Sequence, residues 1–264
     1  ALAEHQEKKT PELLGTENNQ QPGSGPKATV TDEARLQPKD DQKTELTVPM
    51  AQRPSASVSA QPTIPRAPQA VPLPLSFAEE GLWILEQMRP GMTAWNMQLS
   101  VRLHGRLDAS LLERSLNALI QRQEILRTTF GFNNGHPARV INSRINLTLP
   151  VVELGQSVET EQALRRIATN DRQLPFDLSH APLFRFKLLC LSESEHIILL
   201  TEHHMITDAW SSRLFLKELF ALYEAFATGH SHTLPDLPIQ YSDYAYWVRR
   251  QPLREMEHHF SYWK

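Results

Sequence analysis

The sequence predicts an α/β layer fold with a mixed or antiparallel sheet, preceded by a disordered linker. Residues 1 to about 72 hold no Phe, Tyr, Trp or Cys, and all the aromatic residues lie from Phe77 onward. Beyond that point, segments of period-two and of helical apolar spacing both occur. They lack the regular strand-then-helix alternation that would make an all-parallel sheet.

The linker comes first. It is rich in Pro, Gln, Ser, Thr and charge, so it cannot bury enough apolar surface to offset its chain entropy. Its Pro-rich end, QPTIPRAPQAVPLPL, predicts a stiffer tether that feeds a domain spanning residues 73–264, with the fold beginning near Pro74. A short helix is expected over Phe77 to Met88. Trp95, Met97, Leu99, Val101 and Leu103 then alternate with polar residues, which predicts a strand with one buried face. Asp108 reads as the cap of a helix reaching Gln123, with Leu112, Leu116, Leu119 and Ile120 on one stripe. Ile125 to Phe132, the Asn134-Gly135 turn and Pro137 to Ile141 predict a hairpin. A strand near Asn146 to Val152 and a helix from Glu159 to Gln173 follow. Two strands, Leu183 to Leu191 and His196 to Glu202, lead through the break His203 to Asp208 into a helix that begins near Trp210 and ends at Gly229. Tyr241 to Gln251 and a piece reaching Lys264 complete the helical reading, with His258 and His259 on an exposed face.

Composition narrows the function. The chain is 40% hydrophobic and 22% charged, ordinary for a globular protein with one good-sized core. With 27 Lys and Arg against 30 Asp and Glu it offers no strong positive field to a phosphate backbone, so nucleic acid is not an expected partner. No apolar run approaches the roughly 20 residues of a membrane span, and ALAEHQEKKT lacks a signal-peptide layout. A cytoplasmic protein is expected. The single cysteine, Cys190, sits in the apolar stretch LFRFKLLCL and reads as a buried hydrophobe rather than a reactive thiol.

The chemistry concentrates in HIILLTEHHMITDAWSSRLF, His196 to Phe215. A buried strand delivers two histidines, a short break delivers Asp208, and a helix follows; rigid placement of this kind suits a reacting site. An imidazole of ordinary pKa, about 6.5, exchanges a proton near neutral pH. Zinc is not expected, because the HExxH spacing and a third ligand are missing.

HHMITDAW resembles the HHxxxDG signature of nonribosomal peptide synthetase condensation domains, members of the chloramphenicol acetyltransferase-like superfamily. LSFAEEGLW (75 to 83), RQEILRTTF (122 to 130), PFDLSHAPLFR (175 to 185) and YSDYAYWVRRQ (241 to 251) resemble four further segments in the family's order. The chain departs from the pattern at Glu79 and Gly81, usually Gln and Arg, at Gln123, usually His, and at Ala209, usually Gly. If position 209 needs a positive φ, its alanine would strain the loop.

The resemblance implies an α+β two-layer sandwich with a mixed sheet, of which this chain holds the amino-terminal lobe. It implies amide formation between a donor acyl thioester and an acceptor aminoacyl thioester, both carried on 4'-phosphopantetheine of partner carrier domains, with no cofactor bound directly. The expected partners are an upstream donor carrier, a downstream acceptor carrier and an adenylation domain in the same assembly line. His204 is the implied catalytic residue, as proton acceptor or as positioner of the amine. His203, which faces away from its neighbour, Asp208 and Ala209 are expected to be structural at the site. Asp208 is expected to need a cation, which the family supplies as an arginine from its later half. The lobe alone is therefore expected to be inactive. Trp210, Ser211, Tyr241 and Asp243 are candidates for the acceptor side or for packing, with helix-start capping an alternative for Asp243. Trp83 and Trp247 read as packing residues, and Arg122 and Arg127 as ion-pair partners. A non-catalytic docking domain and an ester-forming relative of the same fold are the alternatives.

Overall fold

The computed structural model describes residues 27–31, 64–68, 72–157, 159–229 and 234–251. A five-stranded mixed sheet forms the centre, in the order β1 (Lys27–Thr31), β3 (Asn96–His104), β8 (Glu195–His203), β7 (Phe184–Ser192) and β6 (Val151–Glu153). Only β6 runs parallel to its neighbour β7; the other pairings are antiparallel. A smaller antiparallel sheet places β2 (Leu73–Pro74) beside β5 (His136–Ile141), which pairs with β4 (Thr128–Asn133) around Asn134 and Gly135, both at positive φ.

Alternation sorts the large sheet into two buried faces. Val101, Leu103, Phe184, Phe186, Leu188, Ile198 and Leu200 point to one side, where α2 (Ala109–Arg122) and α4 (Ala209–Thr228) pack on them through Leu112, Leu116, Leu119, Phe215 and Leu219. Leu189, Leu191, Ile197 and Leu199 point to the other, under Leu164 and Ile167 of α3 (Thr160–Arg172). Burial on both sides explains why β7 and β8 read as nearly continuous apolar runs. Cys190 is buried in this core, and burial pushes its thiol up to about 11, as an inert cysteine requires.

The helices start and stop where their caps dictate. The Asp108 carboxylate accepts from the Ser110 and Leu111 N–H groups, and Gly229 ends α4 in the left-handed region at φ 70°. Ser76 and Glu79 form a reciprocal capping box that opens α1 (Phe77–Met88). At the start of α5 (Tyr241–Val248) the Asp243 carboxylate accepts from Gln240 N–H at 2.8 Å.

Three features depart from the sequence reading. The strand expected near Asn146 to Val152 is reduced to Val151–Glu153. Ile145, Leu147 and Leu149 still pack on the core, but α2 side chains replace a strand partner: Asn117 bonds both Leu147 N–H and C=O at 2.8 Å, and the Glu113 carboxylate accepts from Leu149 N–H at 2.8 Å. Lys27–Thr31, inside the segment read as disordered, forms an edge strand along β3, with Val30 opposite Val101. Contact with the domain also begins before Pro74, because Asp243 accepts from Ala67 N–H at 2.7 Å and pairs with Arg66 at 3.3 Å. His258, His259 and the helical piece reaching Lys264 lie outside the described residues.

Candidate active site

Strand β8 ends at His203, and the next residue, His204, is half-buried beside a cavity of about 350 Å³. Its backbone N–H donates to Trp95 C=O at 2.8 Å, which ties it to the start of β3. Its Nδ1 lies 2.7 Å from Thr207 C=O. A carbonyl only accepts, so Nδ1 carries the proton and Nε2 is the basic nitrogen of the neutral ring.

His203 turns the other way and is 1% exposed. Its Nδ1 accepts from Met205 N–H at 3.1 Å, and Phe176 meets the ring edge-on at 6.0 Å. Burial, reinforced by His204, pushes this imidazole down to about 4. The folded value lies below the ordinary 6.5, so the stability it contributes is complete above pH 6.5 and is lost as pH falls toward 4. The loss is expected to reach about 3 kcal/mol at 1.36 kcal/mol per pH unit. Thermal unfolding between pH 7 and 4 should fall less steeply for His203→Asn, whose side-chain oxygen can still accept from Met205; equal slopes would show that another group is responsible.

Asp208 is exposed and caps α4, accepting from Ser211 N–H at 2.7 Å. The bonds with Ser211 hold its carboxyl below the ordinary carboxylate value, with His204 a lesser contributor. Among the described residues its charge is met by the Ser211 bonds and the start of α4. Ala209 is the first residue of α4, and Asn134 is the only non-glycine residue at positive φ among those described, so the alanine strains nothing.

The structure divides the remaining candidates. Ser211 and Tyr241 line the cavity, and the Tyr241 hydroxyl lies 3.1 Å from Ser76 Oγ. Trp210 does not pack in this lobe, being 78% exposed on the first turn of α4. Asp243 lies away from the cavity wall and serves as a capping and tethering carboxylate. Trp83 is buried, Trp247 stacks near Tyr244, and Arg122 and Arg127 pair with Glu218 and Glu124.

Residues 69–264 match the family model described as Condensation domain. The chain belongs to the condensation-domain family. It is 39% identical over 211 residues to a linear gramicidin synthase of Brevibacillus parabrevis, covering 79% of this chain and 3% of that protein. It is 40% identical over 204 residues to phosphinothricin tripeptide synthetase PhsC of Streptomyces viridochromogenes, covering 75% of this chain and 18% of that protein. The chain thus spans a small part of the curated relatives it matches. Among solved structures, the X-domain from teicoplanin biosynthesis in complex with OxyB is 29% identical at a TM-score of 0.65, covering 75% of this chain and 42% of that one. The first condensation domain of the calcium-dependent antibiotic synthetase, in complex with a substrate analogue, shares the fold at a TM-score of 0.60 and 24% identity, covering 64% of this chain and 41% of that one.

Within this condensation domain, the positions that depart from the family pattern have local explanations. Gln123 donates to Glu218 at 2.8 Å, and Glu79 pairs with buried Arg139. A Cβ at Gly81 would meet no atom within 4 Å, so the small residue opens space rather than relieving a clash. Sequence reasoning missed Glu202, which lines the cavity at 2% exposure. The signal was its parity: Ile198 and Leu200 face the α2 and α4 side, and Glu202 and His204 continue that face.

Proposed function

We propose that residues 73–264 are the amino-terminal lobe of a condensation domain that joins a donor acyl or peptidyl thioester to an acceptor aminoacyl thioester. Both are carried on 4'-phosphopantetheine of carrier domains, beside an adenylation domain in one cytoplasmic assembly line. The observation that carries this reading is the Nδ1–H to Thr207 C=O bond, which leaves the basic Nε2 of His204 at the cavity.

In this reading the acceptor nitrogen attacks the donor carbonyl, the C–N bond forms and the C–S bond breaks. The nitrogen becomes more acidic as it bonds, so Nε2 of His204 takes its proton and returns it to the leaving sulfur. Holding both thioesters in one cavity supplies the proximity. His203 anchors the strand end from the core, while Asp208 and Ala209 start α4 at the angle that shapes the cavity. Ser211 and Tyr241 flank the acceptor side, and Trp210 offers a surface to the later half of the domain.

A docking role is the second reading, favoured by the likeness to an X-domain solved in complex with another protein. One experiment separates the possibilities. The full-length protein is given loaded donor and acceptor carriers, and the acceptor carrier is analysed by mass spectrometry. A dipeptidyl-carrier joined by an amide is the expected product. An ester joined to a hydroxyl acceptor would change the nucleophile, and stable carrier binding without product would leave the docking reading.

A further inference from the structure

Four carboxylates line the cavity, and three of them are already stabilised. Glu79 is paired with Arg139, Glu218 with Arg122, and Asp208 caps an exposed helix N-terminus. Glu202 differs: it is buried, and no Lys or Arg pairs with it among the described residues. Its Oε2 accepts from the Ser212 hydroxyl at 2.6 Å, and that hydroxyl lies 3.1 Å from Thr207 Oγ. Thr207 therefore links both cavity groups, holding His204 through its carbonyl and Glu202 through Ser212. Glu202, next to last in β8, and His204, just past its end, line the same cavity, so an amine that enters it is presented to both.

Burial pushes the Glu202 carboxyl up to about 7; the Ser212 and Thr207 hydroxyls offset part of this, and the Asp208 charge adds to it. The titratable groups around the same cavity are His204 after β8, Glu79 from α1, Asp208 and Glu218 from α4, and Tyr241 from α5. The adjacent strands place Met97 and Phe184 opposite Glu202, so they bring no charge at those positions. A buried carboxylate with only hydroxyl partners gains most from a cation, and an acceptor amine near neutral pH arrives as one.

We propose that Glu202 is the second proton-handling residue of this site, receiving the acceptor as its ammonium and taking the first of its two transferable protons. This rests on the condensation reading above. The Glu202 carboxylate becomes a carboxylic acid and the ammonium a neutral amine. The amine lone pair then attacks the thioester carbonyl, and Nε2 of His204 takes the second proton as the C–N bond forms. The C–S bond breaks, the imidazolium gives that proton to the thiolate, and Glu202 releases its own to solvent. The products are an amide and a thiol.

The test is single-turnover amide formation by the full-length protein, with both carriers loaded, from pH 6 to 9. An α-amino group titrates near 8, so only about one in thirty is neutral at pH 6.5. Glu202→Gln, which keeps the size and an acceptor for Ser212, should be roughly tenfold slower than wild type at pH 6.5 and equal to it by pH 9. With an alkoxyamine acceptor, already neutral at pH 6.5, the two proteins should react at the same rate. A loss that is the same at every pH, or no loss at all, would overturn the proposal. Should the glutamine variant not fold, Glu202→Met carries the same expectation. His204→Ala separates the two levels: its loss at every pH, beside an unaffected Glu202→Gln, defeats this inference alone. Absence of amide from the wild-type protein defeats the condensation reading and the inference with it.

Discussion

Replacing His204 with alanine is expected to slow amide formation by about 10²–10⁴, the usual worth of a positioned acid or base. The fold should survive, because the side chain is half-buried and its hydrogen bond to Thr207 C=O is worth about 1 kcal/mol. Asparagine at the same position separates the two roles the sequence leaves open. Its amide can donate to Thr207 C=O and still offer an oxygen toward the cavity, but it cannot carry a proton from nitrogen to sulfur. If His204 is a base, His204→Asn should be as slow as alanine. If His204 holds the amine or the tetrahedral intermediate by a hydrogen bond, asparagine should recover much of the rate. Single-turnover measurement at saturating carrier separates these outcomes, and wild-type rates in both variants would remove His204 from the chemistry.

The sequence made the strands and helices legible where local pattern and tertiary environment agree. Of the alternation read from Trp95 to Leu103, Leu99, Val101 and Leu103 form the core-facing side of β3, while Trp95 precedes the strand; Asp108 and Gly229 carry their own start and stop signals. It failed where a side chain took the place of a ladder. Ile145, Leu147 and Leu149 have the spacing of a strand, but their backbone partners are Gln121, Asn117 and Glu113, 24 to 36 residues away on α2. Lys27–Thr31 is a strand only because β3 offers an edge, and nothing within five residues announces a distant partner. At the site, the family motif marked His204 and Asp208 but not their environments. The motif does not announce that Asp208 caps α4 through the Ser211 N–H. Glu202 was hidden by the histidines beside it, although strand parity assigns it to the face of His204.

Removing one partner of the buried Glu79–Arg139 pair is expected to cost 3–5 kcal/mol, roughly the penalty for leaving a charge uncompensated in the interior. Both side chains are at most 3% exposed. The Arg139 guanidinium donates to Glu79 and to Pro74 C=O, and lies over the Tyr241 ring at 5.4 Å, so it joins β5, β2, α1 and α5. Burial raises the Glu79 carboxyl above the ordinary value even though Arg139 opposes that rise. Arg139→Met should therefore drive Glu79 to take up a proton on folding, and its destabilisation should grow as pH rises above the ordinary carboxylate range. Glu79→Leu with Arg139→Met removes both charges and should cost clearly less than the two single changes added together, the remainder coming from the lost capping box. Urea unfolding of the four proteins gives the coupling directly, and strictly additive costs would show that the pair does not act as a unit. The contrast with Glu202 is physical: one buried carboxylate has a permanent cation and serves as a wall of the cavity, while the other has none within the described lobe and is left to respond to what enters.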